Sequence, residues 1–160
     1  MSGSTALNGL VEESLSEQDL ASVIADFVGR RRWAVVGASE NPDKYGHKVF
    51  SVLLQSGYQV YGVNPKGGTL LGHKLYPSLA ALPEKPEVVN TVVPPPVTEQ
   101  IAKEVVALGI KRVWMQPGSE SQAAIEYLQE HGVQVVHGAC AMVHRRRHWP
   151  NTDPDASNRT

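Results

Sequence analysis

The chain has 160 residues, the usual size of one folded domain, because two separate cores would leave each half too small to bury much apolar surface. Apolar residues make up 41% of the chain and charged residues 19%, a composition that excludes general disorder. With 15 basic and 16 acidic residues, the chain has no overall field that would attract nucleic acid or an anionic membrane. Any anion that it binds must therefore be held locally.

The single cysteine, Cys140, excludes an internal disulfide and leaves too few thiolates for a structural zinc site. The first 15 residues lack the features of a signal peptide, and no segment is apolar over the roughly 20 residues that a membrane helix needs. The short basic run at 144–149 is typical of a solvated helix end. We therefore expect a cytoplasmic protein without metal, membrane or nucleic acid as a partner.

Helices and strands alternate along the chain. Ser16 and Asp19 resemble a capping box, and the apolar spacing that follows predicts a leading amphipathic helix. The predicted strands are 33–37, 59–63, 88–93, 112–115 and 133–137. The predicted later helices are 45–55, 97–108 and 121–131, and Gly57, Gly109 and Gly132 lie where their C-caps are expected.

This alternation predicts an α/β fold in which helices cover both faces of a parallel sheet. We expect a single Rossmann-like, doubly wound domain with five parallel strands in the order 3-2-1-4-5. The domain should span 16–149, between a flexible N-terminus at 1–15 and a flexible tail at 150–160. The segment 67–86 is rich in Gly and Pro, and we interpret it as a long connection.

The first strand is followed by the loop Gly37-Ala38-Ser39, which leads towards a predicted helix. In open parallel sheets, ligands bind beyond the carboxyl ends of the strands at the switch point, here expected between the first and fourth strands. Glycine lets the backbone approach a ligand closely, and the N–H groups at a helix N-terminus attract phosphate. The loop therefore predicts a pyrophosphate site, although it lacks the full G-x-G-x-x-G pattern.

The second strand is followed by Asn64, Pro65 and Lys66. NAD sites usually have Asp or Glu at this point, whereas a cation suits a ribose that carries a phosphate. Both coenzyme A and NADP carry such a phosphate. Lys66 therefore argues against NAD and leaves those two ligands open.

Several spaced motifs from Trp33 to Arg147 together resemble one known family. They are Val-Val-Gly-Ala-Ser at 35–39, Asn-Pro-Lys at 64–66, Tyr-Pro-Ser-Leu at 76–79, the prolines 94–96 and Cys-Ala-Met-Val at 140–143. The chain resembles the stand-alone bacterial CoA-binding proteins, which are similar to the N-terminal domain of the succinyl-CoA synthetase alpha subunit. Relatives often carry Arg where this chain has Val93, and Asp-Arg where it has Gly138-Ala139.

The resemblance implies a role for each position that matches the family. Gly37, Ala38 and Ser39 would hold the pyrophosphate with help from Lys48, and Lys66 in its Asn64-Pro65-Lys66 turn would meet the 3′-phosphate. Val93 and Pro94 would border the adenine, while Gln116 and Gly118 would lie near the pantetheine path. The implied cofactor is coenzyme A, free or acylated.

No catalytic set lies in evident register with the Gly37 loop, so we expect a non-catalytic binding module, with homo-oligomerisation left open. Cys140 is interpreted as an inert, buried thiol, with a disulfide to the ligand as the less favoured alternative. An NADP-linked oxidoreductase and a nucleotide-sensing regulator are the alternative functions. The first would need a further substrate region and the second a DNA-binding module.

Overall fold

The computed structural model describes residues 19–147 and 149. The predicted cap at Ser16, the predicted N-terminus 1–15 and the predicted tail 150–160 lie outside those residues. In chain order the elements are α1 (19–28), β1 (Arg32–Val36), α2 (Tyr45–Gln55), β2 (Gln59–Val63), β3 (Thr69–Leu70), β4 (His73–Tyr76), a 3-10 turn (Leu79–Ala81), β5 (Val88–Thr91), α3 (Pro95–Ala107), β6 (Arg112–Met115), α4 (Gln122–Glu130), β7 (Gln134–Val136) and α5 (Ala141–His144). In this described part of the chain, no helix is long and apolar enough to cross a membrane.

The strands form one sheet in the order β3-β4-β2-β1-β5-β6-β7. Every neighbouring pair is parallel except β3 with β4. At the end of β1, Val36 is in register with Val63 on one side and with Thr91 on the other. The carboxyl ends of β1, β2 and β5 therefore meet at the same edge, and the predicted Rossmann-like fold is confirmed.

The number of strands differs from the prediction, because the segment 67–86 contains β3 and β4 and is not merely a long connection. β4, and not the predicted third strand, pairs with β2 and occupies the position beside β2 that the predicted order 3-2-1-4-5 assigned to 88–93. The strand predicted as third, 88–93, is β5 and pairs directly with β1. The two additional strands have only two and four residues, too few for a recognisable hydrophobic pattern.

Both faces of the sheet are buried, which explains the continuous apolar character of the central strands. Trp33 and Val35 of β1 pack with α1, α2 and α5 in one cluster. Ala34 and Val36 point to the other face and pack with α3 and α4. The two clusters make the domain doubly wound and leave the carboxyl edge of the sheet to the connecting loops.

Candidate functional site

A groove follows the carboxyl edge of the sheet. It consists of two adjoining cavities, of 430 and 410 Å³, that share Tyr45 and Val92. The first, which we call the lysine cavity, is lined by Gly37, Ser39, Lys44, Tyr45, Gly46, Asn64, Lys66 and Val92. The second, the proline cavity, is lined by Tyr45, Val92, Val93, Pro94, Pro95, Pro117, Gly118 and Ser119. The groove lies at the switch point, which falls between β1 and β5 and not, as predicted, between β1 and the strand 112–115.

A larger cavity of 530 Å³ lies between α3 and α4 and is lined only by residues of these two helices, Pro96, Lys103 and Tyr127 among them. The groove, by contrast, is lined by the loops that follow four strands, and two lysine side chains lie in it. Loops at strand ends supply the free backbone groups and the positive charge that an anionic ligand needs. We therefore place the candidate site in the groove.

The glycine loop after β1 is in close contact with the start of α2. Gly37 has a φ of +101°, and a β-carbon at this position would lie 2.5 Å from the carbonyl oxygen of Val92. A β-carbon at Gly46, in the first turn of α2, would lie 1.9 Å from the carbonyl oxygen of Gly37. Both positions therefore require glycine, and together they bring the loop backbone against the helix N-terminus.

The N-terminus of α2 faces the lysine cavity. Lys44 is the N-cap residue, no side chain caps the helix, and Lys44, Tyr45 and Gly46 all line the cavity. The first N–H groups of an α-helix have no partner within the helix and carry a partial positive charge. This end of α2 is therefore suited to bind a phosphate group.

Asn64 connects the two loops that flank the lysine cavity. Its side-chain amide Nδ2 donates a hydrogen bond to the carbonyl oxygen of Ala38 at 3.0 Å. Its Oδ1 accepts a hydrogen bond from the backbone N–H of Lys66 at 2.9 Å. Asn64 thus fixes the turn that carries Lys66 relative to the glycine loop.

The predicted site residues differ in how they relate to the groove. Gly37, Ser39, Asn64 and Lys66 line the lysine cavity, and Val93, Pro94 and Gly118 line the proline cavity. Ala38 is fully buried and Pro65 is exposed on the turn beside Lys66, and neither lines a cavity. Lys48 is exposed one turn further along α2 and is likewise not among the lining residues.

Gln116 is fully buried and makes internal contacts instead of lining the groove. Its Oε1 accepts a hydrogen bond from the backbone N–H of Ala141 at 2.7 Å. Its Nε2 donates to the Sγ of Cys140 at 3.4 Å. Gln116 therefore positions the segment that carries the cysteine.

Cys140 is half-buried, and its Sγ lies 3.3 Å from the hydroxyl of Tyr45. Burial raises the pKa of the thiol, but hydrogen bonds from Tyr45, Gln116 and two backbone amides outweigh it and bring the pKa below the ordinary value. The same contact with Cys140, together with burial, raises the pKa of Tyr45. The thiol is thus adjacent to a residue that lines both cavities.

The sequence analysis did not identify several of the groove residues, among them Lys44 and Tyr45. The signal for these two residues was their position at the predicted start of the helix after the glycine loop, where side chains and N–H groups face a ligand. The residues that line the two cavities include Lys44 and Lys66 but no Asp or Glu in the described part of the chain. The lysine cavity is therefore electropositive.

A doubly wound parallel sheet with a groove at its carboxyl edge places the chain among the α/β ligand-binding domains. Residues 31–146 match the family model described as CoA binding domain, and the chain belongs to this family.

Three relatives illustrate the range of the family. The chain is 30% identical to the uncharacterized protein YneT of Bacillus subtilis, over 71% of this chain and 84% of YneT. It is 29% identical to acetate–CoA ligase [ADP-forming] I of Archaeoglobus fulgidus, over 67% of this chain but only 17% of the ligase. A conserved hypothetical protein from Pyrococcus furiosus has a similar structure, with a TM-score of 0.68 and 44% identity over 71% of this chain and 97% of that protein.

Proposed function

We propose that this protein binds coenzyme A, free or acylated, in the groove and does not itself catalyse a reaction. The observation that carries the proposal is that two lysines and a glycine loop line one groove in a chain of the CoA binding domain family. The ligase relative is a much longer protein, and the chain matches only 17% of its length. Its activity therefore does not carry over to this domain alone.

The shape and charge of the groove suit a ligand with phosphates near one end and a less polar part at the other. The pyrophosphate would lie on the glycine loop and the start of α2, beside Lys44. Lys66 would bind the 3′-phosphate of the ribose. Val93 and Pro94, in the proline cavity, offer apolar surface to the adenine or the pantetheine.

A binding role is supported by the side chains that line the groove. General acid–base catalysis most often uses a histidine or a carboxylate placed at the reacting atoms. Within the described residues, the lining of the two cavities includes neither Asp, Glu nor His. The protein would then carry the bound ligand, or its ligand-bound form would serve as a signal that another protein recognises.

The experiment is titration calorimetry with coenzyme A and dephospho-coenzyme A on the wild-type chain and on Lys66→Ala. We expect coenzyme A to bind about tenfold more tightly, because only it presents the 3′-phosphate to Lys66. The Lys66→Ala variant should lose this preference. Lys111→Ala is a matched control, since this exposed lysine precedes β6 at the opposite edge of the sheet.

Equal affinities of the wild-type chain for the two ligands would contradict the assignment of Lys66. Tighter binding of NADPH than of coenzyme A would instead favour the oxidoreductase alternative, because NADP also carries a phosphate on the adenosine ribose. Acetyl-CoA in the same series tests whether an acyl group on the thiol changes the affinity. An affinity equal to that of coenzyme A would indicate that the thiol end lies outside the tightly bound part.

A further inference from the structure

The turn that carries Lys66 is also held by an acidic residue from the opposite loop. Glu40 follows the glycine loop, and its Oε1 accepts a hydrogen bond from the backbone N–H of Thr69 at 2.8 Å. A β-carbon at Gly68 would lie 2.9 Å from the same oxygen, so the carboxylate packs directly against the turn. Glu40 therefore bridges the two loops that flank the lysine cavity.

The segment between Lys66 and Thr69 needs such a support. Gly67 and Gly68 have φ values of +68° and +105°, and two consecutive glycines have more conformational freedom to lose than any other pair. Asn64 fixes only the first half of the turn, through its contact with the N–H of Lys66. The second half is held by Glu40 and by the hydrogen bond from the N–H of Leu75 to the carbonyl oxygen of Gly68, at 2.8 Å.

We propose that Glu40 is a positioning residue that holds the turn 66–69 so that Lys66 meets the ribose phosphate of the ligand. This inference rests on the proposed function, since it explains the position of Lys66 by the hydrogen bond between Glu40 and Thr69. A carboxylate near a phosphate would, by charge alone, weaken the binding of that phosphate. The role of Glu40 as a hydrogen-bond acceptor and its role as a charge therefore predict opposite effects.

Two variants separate the acceptor from the charge. Glu40→Gln keeps the length and an acceptor oxygen but removes the charge, whereas Glu40→Asp keeps the charge but is one methylene too short to reach Thr69. The measurement is the ratio of the affinities for coenzyme A and dephospho-coenzyme A, by calorimetry on the full chain. Glu126→Gln, on the exposed side of α4, is the control.

We expect Glu40→Asp to lower the ratio about threefold to fivefold, without changing the affinity for dephospho-coenzyme A. Glu40→Gln and the control should keep the wild-type ratio. Amide hydrogen exchange at Thr69 should become faster in Glu40→Asp and stay slow in Glu40→Gln, which follows the contact itself independently of any ligand.

The inference is overturned if Glu40→Gln raises the ratio while Glu40→Asp leaves it unchanged, because charge would then be the property that matters. It is also overturned if neither variant changes the ratio although Lys66→Ala does. A wild-type ratio in Lys66→Ala would instead remove the proposed phosphate contact, and the positioning role of Glu40 with it. The two failures are therefore distinguishable.

Discussion

The hydroxyl of Tyr45 lies 3.3 Å from the Sγ of Cys140, and this contact joins the groove to the chain's single cysteine. Tyr45 lines both cavities, so a ligand that fills the groove must contact a residue that also contacts the thiol. The sequence-based interpretation of Cys140 as an inert, buried residue does not include this neighbour. The contact has a measurable consequence for the chemistry of the cysteine.

We predict that Tyr45→Phe raises the pKa of Cys140. The hydroxyl donates a hydrogen bond that favours the thiolate, and its loss leaves burial, which raises the pKa, with less to oppose it. The alkylation rate of the wild-type thiol should therefore rise at a lower pH than that of a free cysteine, near 8.5. The midpoint for Tyr45→Phe should move upward.

The measurement is the rate of iodoacetamide alkylation between about pH 6 and pH 10, followed by mass spectrometry. The midpoint of this profile reports the pKa, whereas a change in access changes only the plateau rate. Tyr127→Phe on α4 controls for the loss of a phenol elsewhere. Identical midpoints in Tyr45→Phe and the wild-type chain would contradict the prediction.

We predict that Gly46→Ala destabilises the fold by about 3 kcal/mol or more. The added β-carbon would lie 1.9 Å from the carbonyl oxygen of Gly37, and backbone cannot move aside as a flexible side chain can. The gain in helix propensity from Gly to Ala, about 1 kcal/mol, is too small to compensate. Urea unfolding followed by circular dichroism measures the difference.

The control for this variant is Gly132→Ala, where an added β-carbon meets no atom within 4 Å but φ is +76°. It should cost only about 1 kcal/mol, the penalty for a left-handed alanine. A Gly46→Ala variant as stable as Gly132→Ala would mean that the glycine loop and α2 do not pack as closely as described.

The elements with strong periodic patterns could be predicted from the sequence nearly to the residue. α2 and β2 have the predicted bounds, 45–55 and 59–63, because each combines an apolar pattern with a glycine or a turn at its end. β3 and β4 could not be predicted, since strands of two and four residues gain their stability from pairing with β2 and with each other. Local sequence contains little information about such pairing.

The site could be predicted in outline but not in detail. Gly37 and Lys66 were identified because the ends of parallel strands converge, which follows from topology alone. Lys44 directly precedes the predicted helix 45–55 and Lys48 lies in its first turn, so the sequence cannot decide which of them reaches the cavity. That choice depends on how α2 packs on the sheet, and the structure places Lys44 there.

We predict that Lys44→Ala weakens the binding of coenzyme A and dephospho-coenzyme A equally, by about fivefold. Both ligands carry the pyrophosphate, and Lys44 lies in the cavity at the start of α2 where we place it. Lys48→Ala is the matched control and should change either affinity less than about twofold. Calorimetry at low and high salt tests whether the effect is electrostatic, since the loss of affinity in Lys44→Ala should become smaller as the salt concentration rises.

A loss confined to coenzyme A would place Lys44 at the 3′-phosphate and contradict this prediction. An equal loss in Lys48→Ala would restore the role that the family resemblance implies for Lys48. In that case α2 would present both lysines to the ligand in the bound state.

We predict that Asp26→Asn destabilises the fold at pH 7 and that its effect disappears in acid. Asp26 of α1 accepts hydrogen bonds from Arg112 of β6 at 2.7 Å and from Arg30 at 2.9 Å. Burial raises the pKa of Asp26, but the two arginines outweigh it, so the pKa in the folded state lies below the unfolded value of about 3.9. This contribution to stability is therefore complete above the unfolded pKa and is lost as pH falls through the folded pKa.

Because Asp26 is about one third exposed, solvent screening limits the expected loss at pH 7 to about 1 kcal/mol. Urea unfolding at pH 7, 5 and 3 of the wild-type chain and the variant measures it, with Glu130→Gln on the exposed end of α4 as the control. The two stability curves should converge as pH falls, because the protonated carboxyl resembles the amide. A difference that stays constant to pH 3 would mean that Asp26 stabilises the contact of α1 with β6 by packing and not by its charge.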